Sequence, residues 1–215
     1  MSLHYSAARL LVSGLAGSLA RWEVRGRDHV PASGGLIVAA NHISHLDPPL
    51  VGSAQSRELH FLAKQELFGI PLLGPLVAAL HAIPIRRGMA DLTGMSRAIE
   101  VLKRGEGLLV FPEGTRSRDG ELRPARPGIG LLAVNGDASI VPCYISGSDR
   151  PRDCLLRRSR VRIWFGITRH WKDYVGEQAD LTPGRALYQS VGEAVMREIA
   201  VLRTGQMTSA SRGAA

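Results

Sequence analysis

Apolar positions recur at near-helical spacing from Ser6 to Trp22, where Leu10, Leu11, Leu15 and Leu19 stand among Ala7, Ala8, Ala16 and Ala20. The spacing predicts a helix, weakened by Gly14 and Gly17. Such a helix either packs on a core or lies in a membrane interface with Trp22 near the headgroups. After the Gly34-Gly35 turn, Leu36 to Ala40 is a short apolar run that reads as a buried strand. Asn41 to Leu46 is a loop, and Asp47-Pro48 starts a helix with Asp as cap and Pro in the first helical position. That helix ends by Ser56. Leu59 to Ala63 is the next strand. Leu67 to Leu80 is broken by Gly69, Pro71, Gly74 and Pro75 into short helical pieces. Ala82 to Ile85 is a brief strand ending at Arg86-Arg87. Asp91 to Arg104 is a helix, with Met95, Ile99 and Leu102 at apolar spacing.

Gly107 to Phe111 is another buried strand, stopped by Pro112. A polar loop runs to Pro127, and Gly128 to Val134 is a short helix. Ser139 to Ile145 reads as a strand, with Pro142 marking a bulge or an edge. Arg160 to Ile167 is a later strand. Pro183 to Arg203 is a terminal helix with an apolar stripe of Leu187, Val191, Val195 and Ile199. This alternation predicts an α/β fold: a central, mostly parallel or mixed sheet flanked by helices, with an N-terminal helical segment. The expected organisation is a helical, interfacial or core-packed segment over 1–30, one α/β domain over 31–207, and a flexible tail over 208–215. The polar clusters fall just after strands, where such sheets bind ligands.

Composition narrows the choices. The 215 residues suit one domain with a small extension. Two cysteines, Cys143 and Cys154, argue against a disulfide scaffold or cysteine-rich zinc site, and reduced thiols fit a cytoplasmic setting. No uninterrupted apolar run reaches the roughly 18 residues of a membrane span. The net charge is +8, and Lys64, Lys103 and Lys172 are the only lysines among 27 basic residues. Guanidinium suits paired contacts with phosphate. The densest run carries Arg150, Arg152, Arg157, Arg158, Arg160 and Arg162 against Asp153 alone. A solvated basic face, an anionic membrane, a phosphorylated small molecule and nucleic acid are all compatible with it. Aromatic residues make up 5% of the chain, which disfavours nucleic acid as a stacking partner.

Three clusters could carry chemistry. In Asn41-His42-Ile43-Ser44-His45-Leu46-Asp47 the loop can fold back to bring Asp47 to His42. A carboxylate on one ring nitrogen fixes the tautomer and leaves the other nitrogen as a base. Plain helix capping by Asp47 and a packed loop histidine are the simpler readings. Ser44 is weak as a nucleophile on spacing alone. In Phe111-Pro112-Glu113-Gly114-Thr115-Arg116-Ser117 the turn could cradle phosphate through backbone N–H groups while Arg116 pairs with it. A Glu–Arg pair stapling an exposed turn is the alternative. Arg86-Arg87 follows a strand, and alternation directs only one of them to a site. Zinc-ligand spacing is weak, so no metal is expected. No P-loop or Gly-x-Gly-x-x-Gly fingerprint occurs, so ATP and NAD are not implied.

In this order the clusters resemble the glycerophospholipid acyltransferase family, especially bacterial 1-acylglycerol-3-phosphate acyltransferases. The family's Asn-His-x-Ser-x-x-Asp matches Asn41, His42, Ser44 and Asp47. Its Phe-Pro-Glu-Gly-Thr-Arg-Ser matches Phe111 to Ser117 without a gap. Arg87 stands at the family's middle arginine, with Arg86 where an acid is common. Ile140-Val141-Pro142 matches a later Val-Pro segment. The resemblance covers Leu36 to Tyr144, about half of the chain.

The resemblance implies acyl transfer from a thioester to the free hydroxyl of 1-acylglycerol-3-phosphate, giving phosphatidic acid without a cofactor. His42 is then the general base, oriented by Asp47. Arg87, Glu113, Gly114, Thr115, Arg116 and Arg126 (arginine where the family often has lysine) bind the acceptor. Asn41, Ser44, Pro112 and Pro142 shape the loops. The donor is acyl-CoA or acyl carrier protein. The expected place is the cytoplasmic face of the inner or plasma membrane, held peripherally through anionic lipid. Two alternatives stand beside it: another lysophospholipid or glycolipid acceptor, and a non-catalytic module binding anionic lipid or nucleic acid.

Overall fold

The computed structural model describes Gly14, residues 21–86, 91–150, Asp153 and residues 160–205. Its strands are β1 (Arg21–Arg25), β2 (Leu36–Ala40), β3 (Leu59–Lys64), β4 (Ala82–Ile85), β5 (Gly107–Val110), β6 (Ser139–Ser146), β7 (Arg160–Phe165) and β8 (Arg169–His170). They form one mixed sheet in the order β1-β7-β6-β2-β5-β3-β4, with β8 beside β6. β2 pairs in parallel with both β5 and β6, and β3 pairs in parallel with β4 and β5. β7 and β8 run antiparallel to β6. The ends of β2, β3, β4 and β5 therefore open onto one edge of the sheet.

β2 sits in the middle because nothing in it needs water: all five residues are fully buried. Its alternating side chains feed two cores. Ile37 and Ala39 meet Ile129, Leu132, Leu187, Val191 and Ile199 on one face. Those partners come from α4 (Gly128–Asn135) and α6 (Arg185–Arg203), with α3 (Leu92–Lys103) and the short α5 (Trp171–Val175) on the same side. Leu36, Val38 and Ala40 meet Leu50, Val51 and Ala54 of α1 (Asp47–Ala54), together with Ile163 and Phe165, on the other face. Each of the larger side chains among these stabilises the fold by about 1.5–3 kcal/mol on burial. A short 3₁₀ turn, Gln65–Gly69, precedes α2 (Leu73–Ala79).

Several expectations change. Trp22 is not the end of a helix: it lies in β1, which pairs in parallel with β7. The remainder of the expected Ser6–Trp22 helix lies outside the described residues apart from Gly14 and Arg21, as does the 208–215 tail. Arg87, Arg152, Cys154, Arg157 and Arg158 also lie outside them. Pro142 is neither on an edge strand nor at a bulge. It sits in central β6, opposite Ala39. The antiparallel neighbours of β6 pair with Ser139–Ile140 and with Cys143–Ser146, so the proline falls in the gap between the two ladders. Its carbonyl there accepts the Gly166 N–H at 2.8 Å, and no ladder donor is missed. β8 and α5 are additions to the expected elements, both too short to show a period in the sequence.

Candidate active site

α1 begins at Asp47, with Leu46 as its cap residue and Pro48 next. Asp47 is not the helix cap. Its carboxylate turns back over the preceding loop, where Oδ2 accepts the Ile43 and Ser44 backbone N–H groups, each at 2.8 Å. The same Oδ2 lies 2.8 Å from His42 Nδ1. Oδ1 accepts the Ser148 hydroxyl at 2.6 Å. Asp47 is fully buried, and four donors converge on it. Nδ1 of His42 therefore carries its proton toward the carboxylate, and Nε2 keeps its lone pair. Among the described residues Nε2 has no hydrogen-bond partner. The ring stacks on Phe111, with centroids 4.0 Å apart and planes 19° apart, and 10% of its side chain is open.

The end of β2 is locked to the end of β6 by Asn41. Its amide donates to the Ile145 carbonyl at 3.0 Å and accepts the Ile145 N–H at 2.8 Å, mimicking a further ladder rung. Ser44 takes part through its backbone N–H to Asp47, and its Oγ accepts the Leu46 N–H at 3.2 Å.

The loop after β5 folds against the loop after β2. Ser117 donates its N–H to the His42 carbonyl at 2.7 Å. Glu113, 2% exposed, accepts the His42 N–H on Oε1 at 3.1 Å and the Arg123 N–H on Oε2 at 3.2 Å. Burial holds its carboxyl above the ordinary value of 4.5, against the pull of those two backbone donors. In this structure both Glu113 oxygens thus hold backbone.

Gly114 has φ +69°, a left-handed conformation. A Cβ there would stand 2.6 Å from Arg126 Cδ, so the Arg126 side chain lies directly over the glycine. The Arg126 N–H is bound to the Pro112 carbonyl at 2.8 Å. Gly114, Thr115, Arg116 and Arg126 are exposed around buried Pro112 and Glu113. Burial lowers the imidazole of His45, in the same loop as His42. Two clusters that are more than sixty residues apart in sequence thus make one site.

Arg87, the third predicted contributor, lies outside the described residues. Its neighbour Arg86 donates its backbone N–H to Asp91 at 2.7 Å and its Nε to Gln65 at 2.8 Å. Pro142 lies buried within β6 rather than in a turn. Ser148 was missed by sequence reasoning. It lies 101 positions from Asp47, and a lone Ser after a strand has no local signature.

A buried carboxylate bonded to a histidine at the end of a central strand, with an arginine-bearing turn beside it, is an arrangement that general-base chemistry can use. The family model described as Acyltransferase matches residues 21–146, and the chain belongs to that family. It is similar to a 1-acyl-sn-glycerol-3-phosphate acyltransferase of Bacillus subtilis, 27% identical over 71% of this chain and 75% of that one. It is 36% identical to a lyso-ornithine lipid O-acyltransferase of Pseudomonas aeruginosa over 58% of this chain and 48% of that protein. In structure it is similar to the 1-acyl-sn-glycerophosphate (LPA) acyltransferase, PlsC, from Thermotoga maritima. That match has TM-score 0.71 and 25% identity, covering 93% of this chain and 79% of the other. Against most of the curated relatives the match spans about half of their length.

Proposed function

We propose that the protein transfers a fatty acyl group from an acyl thioester to the free hydroxyl of 1-acylglycerol-3-phosphate. The observation that carries this reading is the His42–Asp47 pair, 2.8 Å apart at the buried root of the loop, with Nε2 left free. Nε2 takes the hydroxyl proton as the oxygen attacks the thioester carbonyl. A C–O bond forms, and the tetrahedral intermediate collapses with cleavage of the C–S bond. The imidazolium returns the proton to the departing thiolate. The products are the ester and a free thiol. No acyl-enzyme is needed, so Ser44 stays a loop residue. Asp47 balances the positive charge on the ring during attack.

Arg116 and Arg126, both exposed in the segment that surrounds Gly114, would pair with the acceptor phosphate, with exposed Thr115 beside them in the turn. Arg87 is assigned to the same task from its place in the motif. Acyl-CoA and acyl carrier protein both satisfy the donor chemistry.

The lipid acceptor must come from a surface. No helix among the described residues is long and apolar enough to cross a membrane. Leu46, Ile70, Leu72 and Leu76 are exposed large apolar residues in the segments that follow β2 and β3. With the net charge of +8 they support peripheral attachment to anionic lipid.

A second acceptor has one specific support. The lyso-ornithine lipid enzyme is more identical to this chain than the Bacillus enzyme is, over a shorter stretch. The test is thiol release on mixing the protein with palmitoyl-CoA and 1-acylglycerol-3-phosphate, with the lipid product read by mass spectrometry. Phosphatidic acid is expected, with loss of about 10²–10⁴-fold in His42→Ala. Turnover surviving that change refutes the base. Product from lyso-ornithine lipid alone reassigns the acceptor.

A further inference from the structure

We infer that Ser148 is a positioning residue for catalysis: its hydroxyl holds Asp47 in the orientation that fixes His42. This rests on the reading of His42 as base.

The Asp47 carboxylate has two oxygens with different anchors. Oδ2 is held by its own loop through Ile43, Ser44 and His42. Those three donors lie within five residues of Asp47 and move with it. Oδ1 is held by the Ser148 hydroxyl at 2.6 Å, and that partner comes from the turn after β6, the strand paired with β2. Ser148 is 1% exposed and Asp47 is fully buried, so water does not substitute for the bond without a rearrangement. Through this bond the loop that carries the base is tied to the turn that leaves β6.

The route of the chain explains why a serine reaches there. Asn41 clamps Ile145 to the end of β2 through two hydrogen bonds. One step beyond Ser146, Gly147 adopts φ +81°. A Cβ at that position would collide with the Arg160 carbonyl at the start of β7. Only glycine passes so close to β7 in that conformation. The left-handed turn sends residue 148 back under α1, where its hydroxyl meets Oδ1. The sequence Ser146-Gly147-Ser148 thus builds a bracket on the end of β6 that stops the carboxylate from rotating about its Cβ–Cγ bond.

The role is indirect. Ser148 does not touch substrate, so its loss leaves acceptor and donor affinity in place and lowers the chemical step. Ser148→Ala removes one oxygen from a buried site and leaves Oδ1 without its donor. The expected kcat is about tenfold lower, equal to about 1.36 kcal/mol. KM for both substrates stays within about twofold of the parent value. Ser148→Thr keeps the hydroxyl and is expected to recover most of the lost kcat.

A double-mutant cycle separates positioning from a general structural role. With Asp47→Ala already present, Ser148→Ala costs less than about twofold in kcat, because the side chain it holds is gone. The cycle does not depend on a threonine side chain fitting the space. Independent multiplication of the two losses overturns the inference, as does a folded Ser148→Ala protein with parental kcat. A kcat loss accompanied by a matching fall in thermal midpoint, with the cycle multiplicative, assigns Ser148 to folding instead. Activity in His42→Ala refutes the base and not the bracket. In that case Ser148 and Asp47 retain coupling in thermal midpoints and lose it in kcat.

Discussion

Asp47→Asn tests the electrostatic part of the site while keeping its shape. The amide oxygen takes the place of Oδ2 and still accepts the N–H groups of Ile43, Ser44 and His42 Nδ1. The amide nitrogen faces Ser148, whose hydroxyl turns to accept. The tautomer of His42 is therefore retained. What disappears is the negative charge beside the imidazolium that forms when the base takes its proton. With Nδ1 at 2.8 Å from the oxygen, the charge centres are about 4 Å apart. At an effective dielectric constant of about 20 the lost attraction is about 4 kcal/mol. That corresponds to a fall of about a thousandfold in the chemical step. The assay is single-turnover thiol release at saturating acceptor, beside circular dichroism and a thermal midpoint. A folded Asp47→Asn protein keeping more than a tenth of the parental rate refutes the claim that this charge drives the reaction.

Two further outcomes rest on other parts of the molecule. Burial, opposed by Glu106 and reinforced by His81 and Arg104, lowers the His60 imidazole from 6.5, so its neutral form is the one that folding favours. The stabilisation is fully present above pH about 6.5 and is lost as pH falls through the lower folded value. Urea midpoints are expected to drop between pH 7.5 and 5.5 (about one decade either side of 6.5) by less in His60→Gln than in the parent, and equal drops refute the assignment. The apolar rim predicts that Leu72→Glu with Leu76→Glu reduces sedimentation with phosphatidylglycerol liposomes at low salt. Unchanged pelleting places the lipid contact elsewhere.

How much of this was legible in the amino-acid order varies with distance along the chain. Leu36–Ala40, Gly107–Phe111 and Ser139–Ile145 read as strands because a largely apolar run is incompatible with an exposed face, and the sheet holds Leu36–Ala40, Gly107–Val110 and Ser139–Ser146. The helix stripes of α3 and α6 were equally plain, since periodicity is a local property. Asp47 and His42 were a legible pair because a five-residue loop has few ways to close. Capping and orientation compete for one carboxylate there, and only the folded loop shows that the cap position went to Leu46.

Other features have no local sign. Whether Trp22 ends a helix or enters a strand depends on β7, which lies about 140 residues later and supplies the ladder. Pro142 looks like an edge residue in isolation. It is tolerated in a central strand because β7 and β8 leave a gap at that position. Ser148 has no meaning until β6 runs beside β2 and Asn41 clamps Ile145. Residue order sets the apolar runs, the motif chemistry and the choice of arginine for anionic partners. Packing of the strands sets which distant groups meet: Glu113 with the His42 backbone, Arg126 over Gly114, and Ser148 under Asp47. The reason is physical. Propensity and periodicity act over a few residues, whereas a buried polar group takes whichever complementary partner the packed strands bring within about 3 Å, regardless of its place in the chain.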